Sequence, residues 1–355
     1  MDENLCSNRV FQEYGLLVVQ ACQRAQSGRR RQGRGRQAIV PDWALASMIT
    51  LAIAAKRKSK AAQYRFCRAH AAELLALGVP AVPCRSTYYA RYRQVWILIQ
   101  SGIRKTGKRA IARGWAAAEQ VATDKSLVAA QGPAVSKFPR SARQLRGADR
   151  EAGWGKSEYD GWVYGYAYEV VVSAGASQSA VWPLLASVGK ANQHEVQMFR
   201  GKIAQLPTVT RDVLADRGYD SDDLNESLEW TSDGRRSGRR FVCPLIRRAN
   251  ARKTPVRAWK RSRRRRLRQD HRRQRAAFLD SPRGKRLYSR RGKTSEPFNS
   301  WFKERYELQD HVWHRGLHNN QTQILAAILG YQLLLTFNCR HKRYNAQVAW
   351  ILDAL

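Results

Sequence analysis

The spacing of apolar and polar residues divides the chain into a helical first third, a middle that carries strands, and a helical end. After a short amphipathic opening, residues Cys22 to Gln37 read as a Gly/Arg-rich linker. Pro41-Asp42 then starts a helix through Ala55, with Trp43, Leu45, Ile49 and Ile53 on its apolar face. A second helical stretch runs from about Ser59 to Leu77, stopped by Gly78 and Pro80, and Ser86 caps a third that carries Tyr88, Tyr89, Arg91, Tyr92 and Arg93.

Beyond Trp115 the period changes. Gln120–Thr123 leads apolar residues into Asp124, and Arg146–Tyr159 reads as a Gly/charged loop. Tyr164–Ser173 alternates and is β-branched, a strand, and Ala180–Val188 follows as its hairpin partner. Asn192 with Glu195 reads as a capping box that opens a helix to Leu206. Val209–Asp216 is a strand ending on Asp216, after which the chain turns into a helix with Asp222 and Asp223 in its first turn. Phe241–Ile246 is a short strand, and Arg247–Arg275 a polybasic tract around Trp259. Thr322–Phe337 is apolar on nearly all sides and therefore a buried helix. Strands first and helices later predict an α/β layer with a helical end.

Charge changes the picture more than any other bulk property. The 355 residues hold 43% apolar side chains, enough for a sizeable core, yet 64 basic residues face 28 acidic ones, a formal +36. Self-repulsion on that scale favours a polyanionic partner, and nucleic acid is the first choice. A membrane surface is a weaker fit, because the cations are not gathered on one amphipathic helix. The acidic opening is no signal peptide, and the apolar runs Ala44–Ala55 and Ile324–Phe337 read as too short to span a bilayer, so a cytoplasmic protein is expected. Six dispersed cysteines without a CxxC pair predict reduced thiols and no zinc cage. Three short helices with a basic, aromatic last one match a helix-turn-helix pattern, which makes Arg91 and Arg93 candidate DNA contacts. The tract around Trp259, set between a strand and a helix, is expected to be an insertion that orders on nucleic acid.

Three carboxylates stand out by position. Asp124 follows an apolar run, Asp216 ends a strand, and Glu296 opens a helix that Ser295 is placed to cap, with Phe298, Trp301 and Phe302 on its buried face. Singly, each reads as a cap or solvated turn. Acids at strand ends and at a helix start can also converge on one sheet edge, where divalent ions need shared oxygen ligands for phosphoryl transfer, and Mg²⁺ suits such a site. Asp160 is a rival first acid, although Asp-Gly more often makes a turn. His311, His314 and His318 share helical spacing but lack a matching acid or cysteine, which favours DNA or solvent contacts over zinc.

The segments around Asp124, Gly165–Val170, Leu214–Asp220 and Tyr288–Lys303 resemble bacterial insertion-sequence transposases of the DDE type, over roughly Trp43 to Asn338. Tyr288, Arg291, Glu296 and Lys303 follow that family's third signature, with four residues instead of three between Arg291 and Glu296. The resemblance implies an RNase H-like mixed sheet with flanking helices. Its expected units are a basic arm and linker over 1–40, a helical DNA-binding domain over 41–115, a catalytic domain over 116–345 with its insertion at 232–287, and a tail at 346–355. It implies Asp124, Asp216 and Glu296 as catalytic and metal-ligating residues, with Mg²⁺, or Mn²⁺ in its place, as cofactor. Tyr288, Arg291 and Lys303 would grip the backbone of double-stranded DNA at element ends and target, and Trp259 would stack on a flipped base. Water would cut the element end and the freed 3′-hydroxyl would attack target DNA, with a homodimer pairing two ends. A DNA-binding protein without catalysis, and a nuclease of the same fold without strand transfer, stand as alternatives.

Overall fold

The computed structural model describes residues 3–27, 38–136, 146–157, 160–175, 180–231, 235–246 and 263–355. Most of the predicted linker (28–37) and Trp259 lie outside the described residues. The chain is mixed α/β, with one curled sheet of six strands flanked by helices, and this arrangement is compatible with an RNase H-like fold.

The sheet is built around β3 (Gly161–Ser173), which pairs antiparallel with β1 (Gln120–Ala129), with β2 (Gly153–Ser157) at its opening, and with β4 (Pro183–Lys190). On the far side of β1 the short strands β5 (Asp212–Leu214) and β6 (Arg240–Val242) run parallel to it. The loop expected around Trp154 is thus strand β2, whose glycines let it lie close to Ala191 and Asn192 at the end of β4. Parallel strands are normally covered on both faces, and β5 is buried throughout.

Helices α1 (Glu3–Gln26), α2 (Asp42–Ala54) and α6 (Trp96–Ala112) pack against α12 (Leu317–Arg340), which in turn lies on β4. Between them stand α3 (Lys60–Ala69), α4 (Ala71–Ala76) and α5 (Arg85–Tyr92). The opening of the chain is therefore a 24-residue helix instead of a short arm. Tyr14, Leu17, Val18, Ala21, Cys22 and Ala25 form one helical stripe in the core, so burial carries the helix past Cys22, where the linker was expected to begin. The stretch expected from Ser59 to Leu77 breaks at His70, and α5 starts from Cys84 without a side-chain cap, not from Ser86. The tail ends in α13 (Ala349–Asp353), which buries Ile351 and Leu352.

Every residue of α12 from Asn320 to Cys339 is buried. It is longer than its apolar run suggested and, among the described residues, is the one helix long and apolar enough to cross a membrane; here protein encloses it. Several of its polar side chains bond neighbouring layers: Gln321 Nε2 donates to Val188 O (2.9 Å), Thr322 Oγ1 to Tyr92 O (2.8 Å) and Gln332 Nε2 to Ile103 O (3.1 Å). Its N-terminus is met by carboxylates, as the helix dipole favours: Asp149 accepts from Gly316 N–H and Glu151 from Leu317 N–H. His314, just before it, is buried with its Nε2 3.0 Å from the Tyr92 hydroxyl, which overturns the expected DNA or solvent contact. Burial moves the His314 pKa down to about 3, with Lys60 adding to the effect.

The polybasic tract is partly an internal ladder. Its described part is α9 (Arg263–Asp280), laid against the chain around α8 (Asp222–Glu229). Arg268 bonds Glu226 (2.6 Å), Arg272 bonds Asp220 (2.9 Å) and Asp222 (3.1 Å), and Arg275 bonds Asp220 (3.3 Å). These arginines therefore have carboxylate partners within the chain.

Two stability outcomes follow from buried charge. His314 is neutral in the fold and ionises in the unfolded chain, so its contribution is present above pH 6.5 and lost as pH falls towards 3. Moving from pH 7 to pH 5 should cost about 2 kcal/mol through this residue. Denaturant melts of wild type and His314→Asn should show a smaller acid loss in the variant, and equal losses would refute the assignment. Asp220→Asn leaves Arg272 and Arg275 on Asp222 alone and should cost about 1.5–3 kcal/mol. Limited proteolysis should then open α9; an unchanged cleavage pattern would show that the ladder does not hold it.

Candidate functional site

Asp124 sits in the middle of β1, paired in register with Val170, instead of at a strand end. Its two neighbours Thr123 and Lys125 point to the opposite face, as strand alternation requires. The adjacent strand β5 runs parallel to β1 and is shorter than the expected Val209–Asp216, so Asp216 falls two residues beyond it, at the same edge. There Asp216 caps a single 3₁₀ turn, Arg217–Tyr219, its Oδ1 accepting from Gly218 N–H at 2.9 Å. The helix that follows β4 is α7 (Glu195–Arg200), capped by His194 and not by Asn192.

The third acid arrives from the far end of the chain. Arg290 and Arg291 stand in the last turn of α10 (Pro282–Gly292), and after Lys293 and Thr294 the chain enters α11 (Ser295–Arg305). Ser295 is inside that helix with Oγ bonded back to Arg291 O (3.0 Å), and Thr294 is the N-cap residue without a side-chain cap. The helix–helix break absorbs the extra residue between Arg291 and Glu296. In consequence the Arg291 guanidinium lies between two acids, its Nη1 3.8 Å from Asp124 Oδ1 and its Nη2 3.2 Å from Glu296 Oε1. Glu296 is 61% exposed, whereas Arg291 is 17% exposed.

Burial pushes the Asp124 carboxyl up to about 7 against the pull of Arg291, and the nearby charges of Asp216 and Glu195 push in the same direction. Its Oδ2 accepts from Asn299 Nδ2 at 2.9 Å. Asn299 and Lys303 stand three and seven residues after Glu296, one stripe of α11 turned towards Asp124. Burial draws the Lys303 pKa down while Asp160 and Asp124 draw it up, so Asp160 stands beside Lys303 as a flanking acid. Tyr288 lies under Arg291, ring centroid 5.9 Å from the guanidinium carbon, and within the field of Asp216.

The structure thus gathers Asp124, Asp216, Glu296, Tyr288, Arg291 and Lys303 from three distant segments. Arg91 and Arg93 stand elsewhere. Arg91 bonds Val40 O (2.6 Å) and pairs with Asp42, while exposed Arg93 borders a cleft with Arg150, Arg315 and His318 at the start of α12. Sequence reasoning missed Asn299, legible as one helical turn from Glu296, and Lys125, which donates from Nζ to Ala191 O (3.1 Å) and Gln193 O (2.9 Å). It also saw Glu195 only as a cap. Among the described residues no three acidic, histidine or cysteine side chains close into a cage for an ion.

A family profile described as "Transposase DDE domain" matches residues 115–333. The search of curated proteins and the search of solved structures each return no match.

Proposed function

Because this chain belongs to the DDE transposase family, we propose that it cuts double-stranded DNA at the ends of an insertion element and joins the freed 3′-hydroxyl to target DNA. The observation that supports this most directly is the meeting of Asp124, Asp216 and Glu296 beside Arg291 at one sheet edge. These residues are far apart in sequence and are brought together only by the fold.

The donor set fits a divalent ion. All three groups are carboxylates, and half-buried Asp124 has a second carboxylate close enough to hinder its ionisation, a repulsion that a cation relieves. An arrangement short of a closed cage suits Mg²⁺, which completes its shell with water and phosphate oxygens, and Mn²⁺ would substitute. Asp124 and Asp216 would hold the ion with Glu296 completing the set, and the ion supplies activation of the attacking oxygen and stabilisation of the leaving one.

The rest is done by side chains of this chain. Arg291 presents a planar fork of donors that matches a phosphate as well as a carboxylate, so DNA can take over the guanidinium from Asp124 and Glu296. Tyr288 packs beneath Arg291 and limits where the fork can point. Lys303, two turns along α11 from Glu296, offers a point charge to the neighbouring backbone phosphate. Asn299 holds the Asp124 carboxylate in one orientation through its amide.

Asp216→Asn and Glu296→Gln should each reduce metal-dependent cleavage of DNA carrying the element ends to background while leaving DNA binding in place. Gel assays of cleavage and binding on the same preparations check this, and a variant that cuts as well as wild type would remove its residue from the site. A pre-cut end should be joined to target DNA; cutting without joining would reassign the protein as a nuclease. Binding should also weaken steeply with salt, as expected for a chain of +36 that displaces counterions from DNA.

A further inference from the structure

Glu195 lies on the other face of the sheet from α11, yet its carboxylate reaches the same edge. Ala167 on β3 packs with Met198 of α7, while the neighbouring Tyr168 meets Phe302 of α11, ring centroids 5.3 Å apart, so the two helices cover opposite faces. Glu195 is the first residue of α7 and is half-buried. Its position is fixed by the same segments that carry the two aspartates. The turn before it is held by Lys125, next to Asp124, through bonds from Nζ to Ala191 O and Gln193 O. The helix itself packs on the turn after Asp216, where Phe199 meets Tyr219 edge to face at 6.1 Å.

Gly218 shows how close the carboxylates are. A methyl group placed on it would fall 1.9 Å from Glu195 Oε2 and 3.1 Å from Asp216 Oδ1, which puts the two oxygens within about 5 Å of each other. Only a residue without a β-carbon leaves room there for Glu195. The Tyr219 hydroxyl is fully buried behind this turn, where the charges of Glu169, Asp124 and Glu195 all act on it.

We infer that Glu195 is a fourth acidic residue of this site, which ligates the divalent ion from the Asp216 side. The inference rests on the reading of Asp124 and Asp216 as ion ligands. One ion with oxygens at about 2.0–2.1 Å spans roughly 4 Å between ligands, so the Glu195 side chain needs to close by only about 1 Å. A glutamate reaching from the opposite face would hold the ion against the sheet edge while Glu296, on the exposed side, meets the DNA.

The test is Mn²⁺ binding to the full chain without DNA, followed by calorimetry or by the loss of free-ion electron spin resonance. Wild type is compared with Glu195→Gln, Gly218→Ala and Asp216→Asn, and thermal melts are recorded alongside. Glu195→Gln should weaken Mn²⁺ about tenfold without lowering the melting temperature, a split that a role confined to pairing with Lys125 would not produce. Gly218→Ala should weaken it similarly, because its methyl evicts the carboxylate while leaving the charge in the protein, and it serves as the readout if Glu195→Gln does not fold. If Asp216→Asn loses Mn²⁺ but both other variants bind as wild type does, Glu195 is not a ligand. If Asp216→Asn also binds normally, the ion-site reading fails and this inference with it.

Discussion

A carboxylate in the middle of a buried strand is the constraint to which the site is built. Asp124 is withdrawn from water by the strands beside β1 and by α11, and its ionised form needs a positive neighbour. Arg291 provides it, and because the same guanidinium reaches Glu296, the pairing also sets how α10 hands over to α11. The break at Lys293 and Thr294 sets α11 so that Asn299 bonds Asp124 from the same side. An arginine is suited to the place because its fork can serve two acids at once and can exchange both for the oxygens of a phosphate.

The sheet edge that carries these groups is kept in place by a helix with no exposed face. From Asn320 to Cys339, α12 is enclosed by α1, α2, α6 and the sheet, with Gln321 donating to a carbonyl of β4 and Gln332 to one of α6. Gly330 permits the closest approach, where the Tyr14 hydroxyl donates to its carbonyl at 3.2 Å. The helices of the first third therefore share one apolar core with the strands that bear Asp124 and Asp216. A net charge of +36 is tolerated on such a core partly because cations are paired locally, as Arg268, Arg272 and Arg275 are with the acids of and around α8.

Much of this was legible in the residues. The β-branched alternation of β3, the strand–turn signal at Asp216 and the helical spacing of Phe298, Trp301 and Phe302 are local patterns, and the fold kept each of them. The failures have a common cause: each depended on contacts between segments distant in sequence. Cys22 and Ala25 look like the start of a linker until α2 and α6 cover them. Trp154 reads as loop because glycines suppress the strand signal, although those glycines are what lets β2 approach the end of β4. Glu195 reads as a cap because it stands three residues after Asn192, and its nearness to Asp216 is visible only across Gly218, a residue that no periodicity marks.

The ladder between α8 and α9 has a consequence for how such a protein can be diversified. Asp220, which receives Arg272 and Arg275, is four residues beyond Asp216, so the basic segment is bonded to the loop that carries Asp216. A segment exchanged in from another protein could not be treated as a self-contained cassette. Unless it brought arginines in the register of Arg268, Arg272 and Arg275, it would leave the Asp220 carboxylate buried without a counterion close to Asp216. Exchange of the insertion is thus coupled to the short acidic run after Asp216, and the two stretches are expected to be inherited, or redesigned, as one unit.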